Sequence, residues 1–207
     1  WWTLRTACRQ MQQWRSDFPA YREMSLSVNF SERQFSEPDM VAVVQSILEE
    51  TGLPARDLCL EVTESLLLDH VEAALDKLAQ LQRLGVKLHV DDFGTGYSSL
   101  SYLQKFSYDS LKIDRSFVKA LDGSKDANAI VKTIIALGRM MHIDVIAEGV
   151  ESPEQVASLR EMDCPQVQGF YFSKPLEQES VPALLALGSE SESDGPDPNG
   201  AGFRLHS

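Results

Sequence analysis

The chain has 207 residues, 43% of them hydrophobic and 24% charged, which is enough apolar surface for one globular core. Its net charge of -12 excludes a basic face for sequence-independent nucleic-acid binding, so no DNA binding is expected. The three cysteines, Cys8, Cys59 and Cys164, are isolated and lack CxxC spacing, which argues against a zinc site or a disulfide scaffold and fits a reducing, cytoplasmic setting.

Taken in order, strand-like and helix-like segments alternate. Leu4, Cys8 and Met11 lie on one face of an opening helix. The chain starts on Trp1-Trp2 with no methionine, and it reads as part of something longer. Residues 24–28 form a strand pattern ending at Asn29. Ser36-Glu37-Pro38 supplies a cap and a first-turn proline for a helix with Val41, Val44 and Leu48 on its apolar face, closed by Gly52. Residues 58–60 begin a strand ending near Glu61, and Val71, Ala74, Leu75 and Leu78 mark the next helix, stopped by Gly85.

Residues 86–90 are a strand leading to Asp91 and Asp92, and residues 110–113 are a short strand holding Lys112. Ile130, Ile134, Leu137 and Met141 set a helix face, and residues 143–147 form a strand ending at Glu148. Ser152-Pro153-Glu154-Gln155 has the form of a capping box. Residues 167–172 read as a last strand, 182–187 as part of a terminal helix, and 188–207 as a disordered acidic tail, which leaves 1–187 as the folded unit.

Alternating strands and helices imply βα units and a parallel sheet. Asn29, Glu61, Asp91, Asp92, Lys112, Glu148 and Gln168 each fall at or near the C-terminal end of a strand. A (β/α) barrel gathers those ends on one face, whereas an open doubly wound sheet would use only its switch point. The pattern predicts a (β/α) TIM-like barrel.

Paired acids where a buried strand meets the turn Gly94-Thr95-Gly96 are costly without an offsetting positive charge. Glu61, Asp91, Asp92 and Glu148 bring four negative charges that two divalent ions would neutralise, and Asn29 adds a neutral oxygen. Oxygen donors of this kind suit Mg²⁺ or Mn²⁺. Asp91 could bridge two ions in the manner of two-metal phosphoesterases. Lys112 could orient water or stabilise phosphate charge. Each position also has an ordinary reading. A lone aspartate at a strand end is usually a turn or N-cap residue, and Lys112 could pair with Asp109 or Asp114. His89, between Leu88 and Val90, reads as an interior or helix-facing residue rather than a ligand. The glycine turn is not a dinucleotide fingerprint, because Ser99 stands at its last glycine position.

The segments SVNFSERQF, LEVTES, DDFGTGYSSL, DSLKIDRSF, IAEGVES and QGFYFSKPL, surrounding Asn29, Glu61, Asp91, Lys112, Glu148 and Gln168, occur in the order of a known family. The chain resembles the EAL domain, the bacterial phosphodiesterase that linearises cyclic di-GMP, from Trp1 to about Leu187. The resemblance implies a barrel whose first strand runs antiparallel to the rest. It implies a first metal held by Asn29, Glu61 and Asp91, and a second served by Asp91, Asp92 and Glu148. Lys112 and Glu148 would be catalytic, the former holding water and the latter a candidate base. Glu64 would brace the segment after Asp92, through which the family dimerises. Asp114, Glu151 and Gln168 would line the phosphate site. The product would be linear pGpG.

The Glu-Ala-Leu motif itself is absent from the 207 residues. The expectation is therefore an incomplete barrel of about six core strands, with its first two strands missing and little activity of its own. Its parent is expected to carry an upstream sensory or diguanylate cyclase domain and to be cytoplasmic, or the cytoplasmic part of a membrane-anchored protein. The competing functions are a non-catalytic cyclic di-GMP sensor and a dimerising signalling module.

Overall fold

A computed structural model of the protein describes residues 1–64, 66, 71–96, 107–121, 123 and 125–191. Each strand is a short run rich in Leu, Val and Ile. They are β1 (Leu26–Asn29), β2 (Leu58–Thr63), β3 (Lys87–Phe93), β4 (Ser110–Ile113), β5 (Asp144–Ala147) and β6 (Gln166–Val167). The six pair in parallel in chain order, β1-β2-β3-β4-β5-β6. The order never reverses, so the sheet has no switch point and is part of a (β/α) barrel rather than a doubly wound sheet. Among the described residues β1 and β6 are the two ends of this incomplete ring.

The helices are α1 (Trp2–Asp17), α2 (Glu32–Ser36), α3 (Met40–Thr51), α4 (Val71–Leu84), α5 (Arg115–Lys119), α6 (Lys125–Met141), α7 (Pro153–Glu161) and α8 (Val181–Ser191). None of the described helices is long and apolar enough to cross a membrane. The core lies between this helical layer and the sheet. Leu4, Cys8 and Met11 of α1, Val44 and Ile47 of α3, and Leu78 and Leu81 of α4 meet Leu58, Leu60, Leu88 and Val90 of the strands in one buried cluster. Burying each large aliphatic side chain contributes about 2 kcal/mol. The apolar contacts thus fix the strands, and the strands fix what their C-terminal ends carry.

Several elements depart from the sequence reading. Helix α3 begins at Met40 rather than at Ser36, which is the last residue of α2. The short α2 has its own capping box, Ser31 with Gln34. The Lys77 ammonium of α4 then takes the carbonyls of Phe35 and Glu37 at 2.6 and 2.9 Å, which holds the chain out of helix until Asp39. In α6 the buried apolar side chains are Ala127, Val131, Ile134 and Ile135, spaced as one helical face, while Ile130 is exposed. Helix α8 continues through Gly188 to Ser191, into the segment read as a tail, and residues 192–207 lie outside the described ones.

The last strand is two residues long rather than six. After Val167 the Gln168 amide donates to the Ala147 carbonyl at 2.8 Å, and the Gln168 carbonyl accepts from Val150 at 3.0 Å. Gly169 follows at a point where a Cβ would lie 2.1 Å from the Val150 carbonyl oxygen. Only glycine allows that approach, and the chain turns there instead of extending.

Candidate metal centre

The sheet register sets the site. Asn29 lies opposite Glu61, and Glu61 opposite His89. Lys112 on β4 lies opposite Ile146, and Glu148 follows β5 directly, its amide donating to the Ile113 carbonyl at 3.2 Å. A strand alternates its side chains between faces, so Asp91 and Asp92 should point apart. They do not, because β3 carries one extra residue: Val90 pairs with Leu111 and Phe93 with Ile113. Three steps on β3 match two on β4, which is a β-bulge at the two aspartates. Asp92 takes up the bend with φ of 53°, a left-handed conformation that Asp tolerates better than most residues. Asp91, Asp92 and Glu148 consequently offer carboxylate oxygens that all lie within 4.8 Å of one another.

Lys112 sits at the centre of the acids, 3% exposed. Its Nζ is 2.8 Å from Glu61 Oε2, 2.5 Å from Glu148 Oε1 and 3.6 Å from Asp91 Oδ1. Burial would lower its pKa, but the Glu61 and Glu148 carboxylates outweigh that and hold the ammonium well above its ordinary range. Burial and the neighbouring acids Asp91 and Glu61 push the Glu148 carboxyl up, against the pull of Lys112. Burial, Asp91 and Asp114 likewise push Asp92 up. One ammonium faces Glu61, Asp91, Asp92 and Glu148, and this excess of crowded oxygen donors is the environment a hard divalent cation stabilises.

The supporting side chains fall into place around this cluster. Glu64, 7% exposed, follows β2, and its Oε2 accepts from the Gly94 amide at 3.2 Å. A Cβ on Gly96 would stand 3.3 Å from the Glu64 carboxylate carbon, so that carboxylate packs under the turn after Asp92. Asp114 caps α5, accepting from the Ser116 amide at 3.0 Å and from its hydroxyl, and these bonds hold its pKa down despite burial. The Gln155 side chain accepts from the amides of Glu151 and Ser152 at 2.7 and 3.3 Å, and Ser152 caps Gln155 in return at 3.2 Å. This box pins the segment from Glu148 to Ser152.

Gly149, with φ of 70°, lets that segment press on α5, where a Cβ would be 2.6 Å from Arg115 Cβ. Gln168 is tied to the same segment through its backbone. Of the residues singled out from the sequence, the structure brings Glu61, Asp91, Asp92, Lys112 and Glu148 into one cluster. Asn29 stands exposed at the neighbouring strand end, Glu64 directly follows β2, and Asp114, Glu151 and Gln168 lie on the surrounding loops. The Ser152–Gln155 capping box is the one the sequence predicts, whereas the bulge at Asp91 and Asp92 has no expectation there.

A buried lysine among carboxylates at the C-terminal rim of a parallel (β/α) sheet is an arrangement suited to a divalent cation. The chain belongs to the EAL domain family, whose model matches residues 1–175. It is 42% identical over 175 residues to the cyclic di-GMP phosphodiesterase NbdA of Pseudomonas aeruginosa, covering 84% of this chain and 22% of that protein. It superposes on the phosphodiesterase PaMucR of Pseudomonas aeruginosa, solved with c-di-GMP, with TM-score 0.83 and 40% identity over 87% of this chain and 72% of that one. The manganese and cyclic di-GMP complex of Klebsiella pneumoniae BlrP1 matches with TM-score 0.73 and 32% identity, over 79% of this chain and 42% of that one. The chain spans 21% to 30% of the length of the curated relatives it matches.

Proposed function

We propose that this chain is part of a cyclic di-GMP phosphodiesterase that hydrolyses one phosphodiester of the ring to give linear pGpG. The observation that carries the reading is the cluster of Glu61, Asp91, Asp92 and Glu148 around Lys112. Asn29, Glu61 and Asp91 would hold one Mg²⁺ or Mn²⁺, and Asp91, Asp92 and Glu148 a second. Such a pair supplies Lewis-acid stabilisation of phosphoryl charge and a more acidic water.

The residues of the chain do the rest. Lys112 carries a charged donor into a water-poor pocket, where it is worth far more than in solvent. Glu148, 2.5 Å from that donor, has oxygens able to accept a proton from water. Asp114, Glu151 and Gln168 would line the phosphate site. Glu64 would steady the turn after Asp92, and we propose self-association through the segment that follows, of which residues 97–106 lie outside the described ones. The phosphodiesterase unit would be residues 1–187, coupled in its parent to a sensory or diguanylate cyclase domain.

The test is to incubate the full gene product with cyclic di-GMP and Mn²⁺ or Mg²⁺ and to follow pGpG. Metal-dependent turnover, lost in Lys112→Ala and Asp91→Asn, is expected. Tight cyclic di-GMP binding without turnover would replace the enzyme by a sensor.

A further inference from the structure

Glu61 lies within β2, one register layer below Asp91, and it is 7% exposed. Lys112 contacts its Oε2 at 2.8 Å. One contact does not fix a carboxylate, because the terminal torsion of Glu is broad and nearly two-fold. The other oxygen, Oε1, faces the ring of His89, whose Nδ1 is 4.0 Å away. His89 is 4% exposed, lies directly across from Glu61 in the β2–β3 register, and has Ser110 as its register partner on β4. It precedes Asp91 by two residues, so both side chains project from the same face of β3, the histidine one layer deeper. An imidazole placed in that interior costs desolvation that an aliphatic residue there would avoid.

We infer that His89 is a positioning residue: it confronts Glu61 Oε1 from below while Lys112 holds Oε2, and so sets the plane in which Glu61 presents its oxygens to a cation. The inference rests on the reading of this cluster as a metal centre. Lys112 is shared among Glu61, Glu148 and Asp91, and it cannot orient all three unaided. His89 stands against the other oxygen of Glu61, one register layer below Asp91, while Lys112 also reaches Glu148 and Asp91. Groups that stand behind metal ligands in this way typically change metal affinity by about 10- to 100-fold when removed.

The test measures Mn²⁺ binding to the full gene product by electron paramagnetic resonance titration, without substrate. His89→Ala is expected to weaken Mn²⁺ binding about 10-fold. His89→Asn, which keeps a polar group near the position of Nδ1, is expected to recover most of that loss. Both variants lose the ring's packing, so thermal unfolding run in parallel separates a fold defect from a positioning defect: recovery by Asn at equal melting temperature supports positioning. Unchanged Mn²⁺ affinity in His89→Ala overturns the inference alone, as does equal weakening in both variants. Absence of Mn²⁺ binding in the unsubstituted protein overturns the metal centre and the inference with it.

Discussion

Asp91 and Asp92 are neighbours on one strand, yet both present carboxylate oxygens within 4.8 Å of each other and of Glu148. The extra residue on β3 and the left-handed Asp92 produce this convergence. The charge of Asp92 and its backbone conformation are therefore separable. Asp92→Asn keeps a residue that accepts positive φ, and it is expected to fold with a nearly unchanged urea midpoint while losing metal affinity. Asp92→Val forces a β-branched residue into the same conformation and should cost about 2 kcal/mol of stability, read from the same urea titration.

Lys112 neutralises part of a buried acidic cluster. Removing one member of a buried ion pair leaves uncompensated charge and costs about 3 kcal/mol or more. Lys112→Met is expected to lower the melting temperature sharply in chelator. Added Mn²⁺ should restore more stability to this variant than to the unsubstituted protein, because cations then supply the missing positive charge. Equal stabilisation of both by Mn²⁺ would separate Lys112 from the metal centre.

The backbone of Gly149, the residue after Glu148, is pressed against Arg115. Gly149→Ala adds a Cβ at positive φ and 2.6 Å from Arg115 Cβ, so the loop must shift. A loss of about 1–3 kcal/mol is expected from the strain. The fall in kcat should exceed the fall in cyclic di-GMP affinity, because the displaced group is Glu148. Calorimetry with kinetics on the same sample checks both.

The strand order, the parallel βα units and the convergence of Glu61, Asp91, Lys112 and Glu148 are legible in the sequence, because they follow from apolar runs ending in polar residues. Residues 110–113 form β4 as the pattern predicts, all four of them buried. The end of β6 is not legible there, because the stop is a tertiary event: Gly169 lies against the backbone of Val150, which no local pattern encodes. The start of α3 is hidden for a similar reason, the carbonyls before it being taken by Lys77 from a different helix. The bulge did have a signal. Two adjacent acids assigned to one site conflict with the two-residue strand period, and only an irregular backbone resolves that conflict.

Cys8, Cys59 and Cys164 are buried, and burial pushes each thiol up to about 11. At pH 8 the folded chain should present about 100-fold less thiolate than the unfolded chain, so iodoacetamide labelling is slow until denaturant is added. The folded-state values lie above the unfolded value of 9.0. The thiols' contribution to stability is therefore complete below about pH 9 and is lost as pH rises through about 11. Rapid labelling of any of the three at pH 8 in native buffer would contradict this burial.

The acids around Lys112 make up the proposed two-cation centre. Its most direct test is anomalous scattering from crystals of the full gene product grown with Mn²⁺ and cyclic di-GMP. Two manganese peaks are expected, one contacting Glu61 and Asp91 and the other contacting Asp92 and Glu148, with Asp91 touching both. Manganese absent from these four carboxylates, while cyclic di-GMP occupies the rim of the sheet above them, would contradict the account.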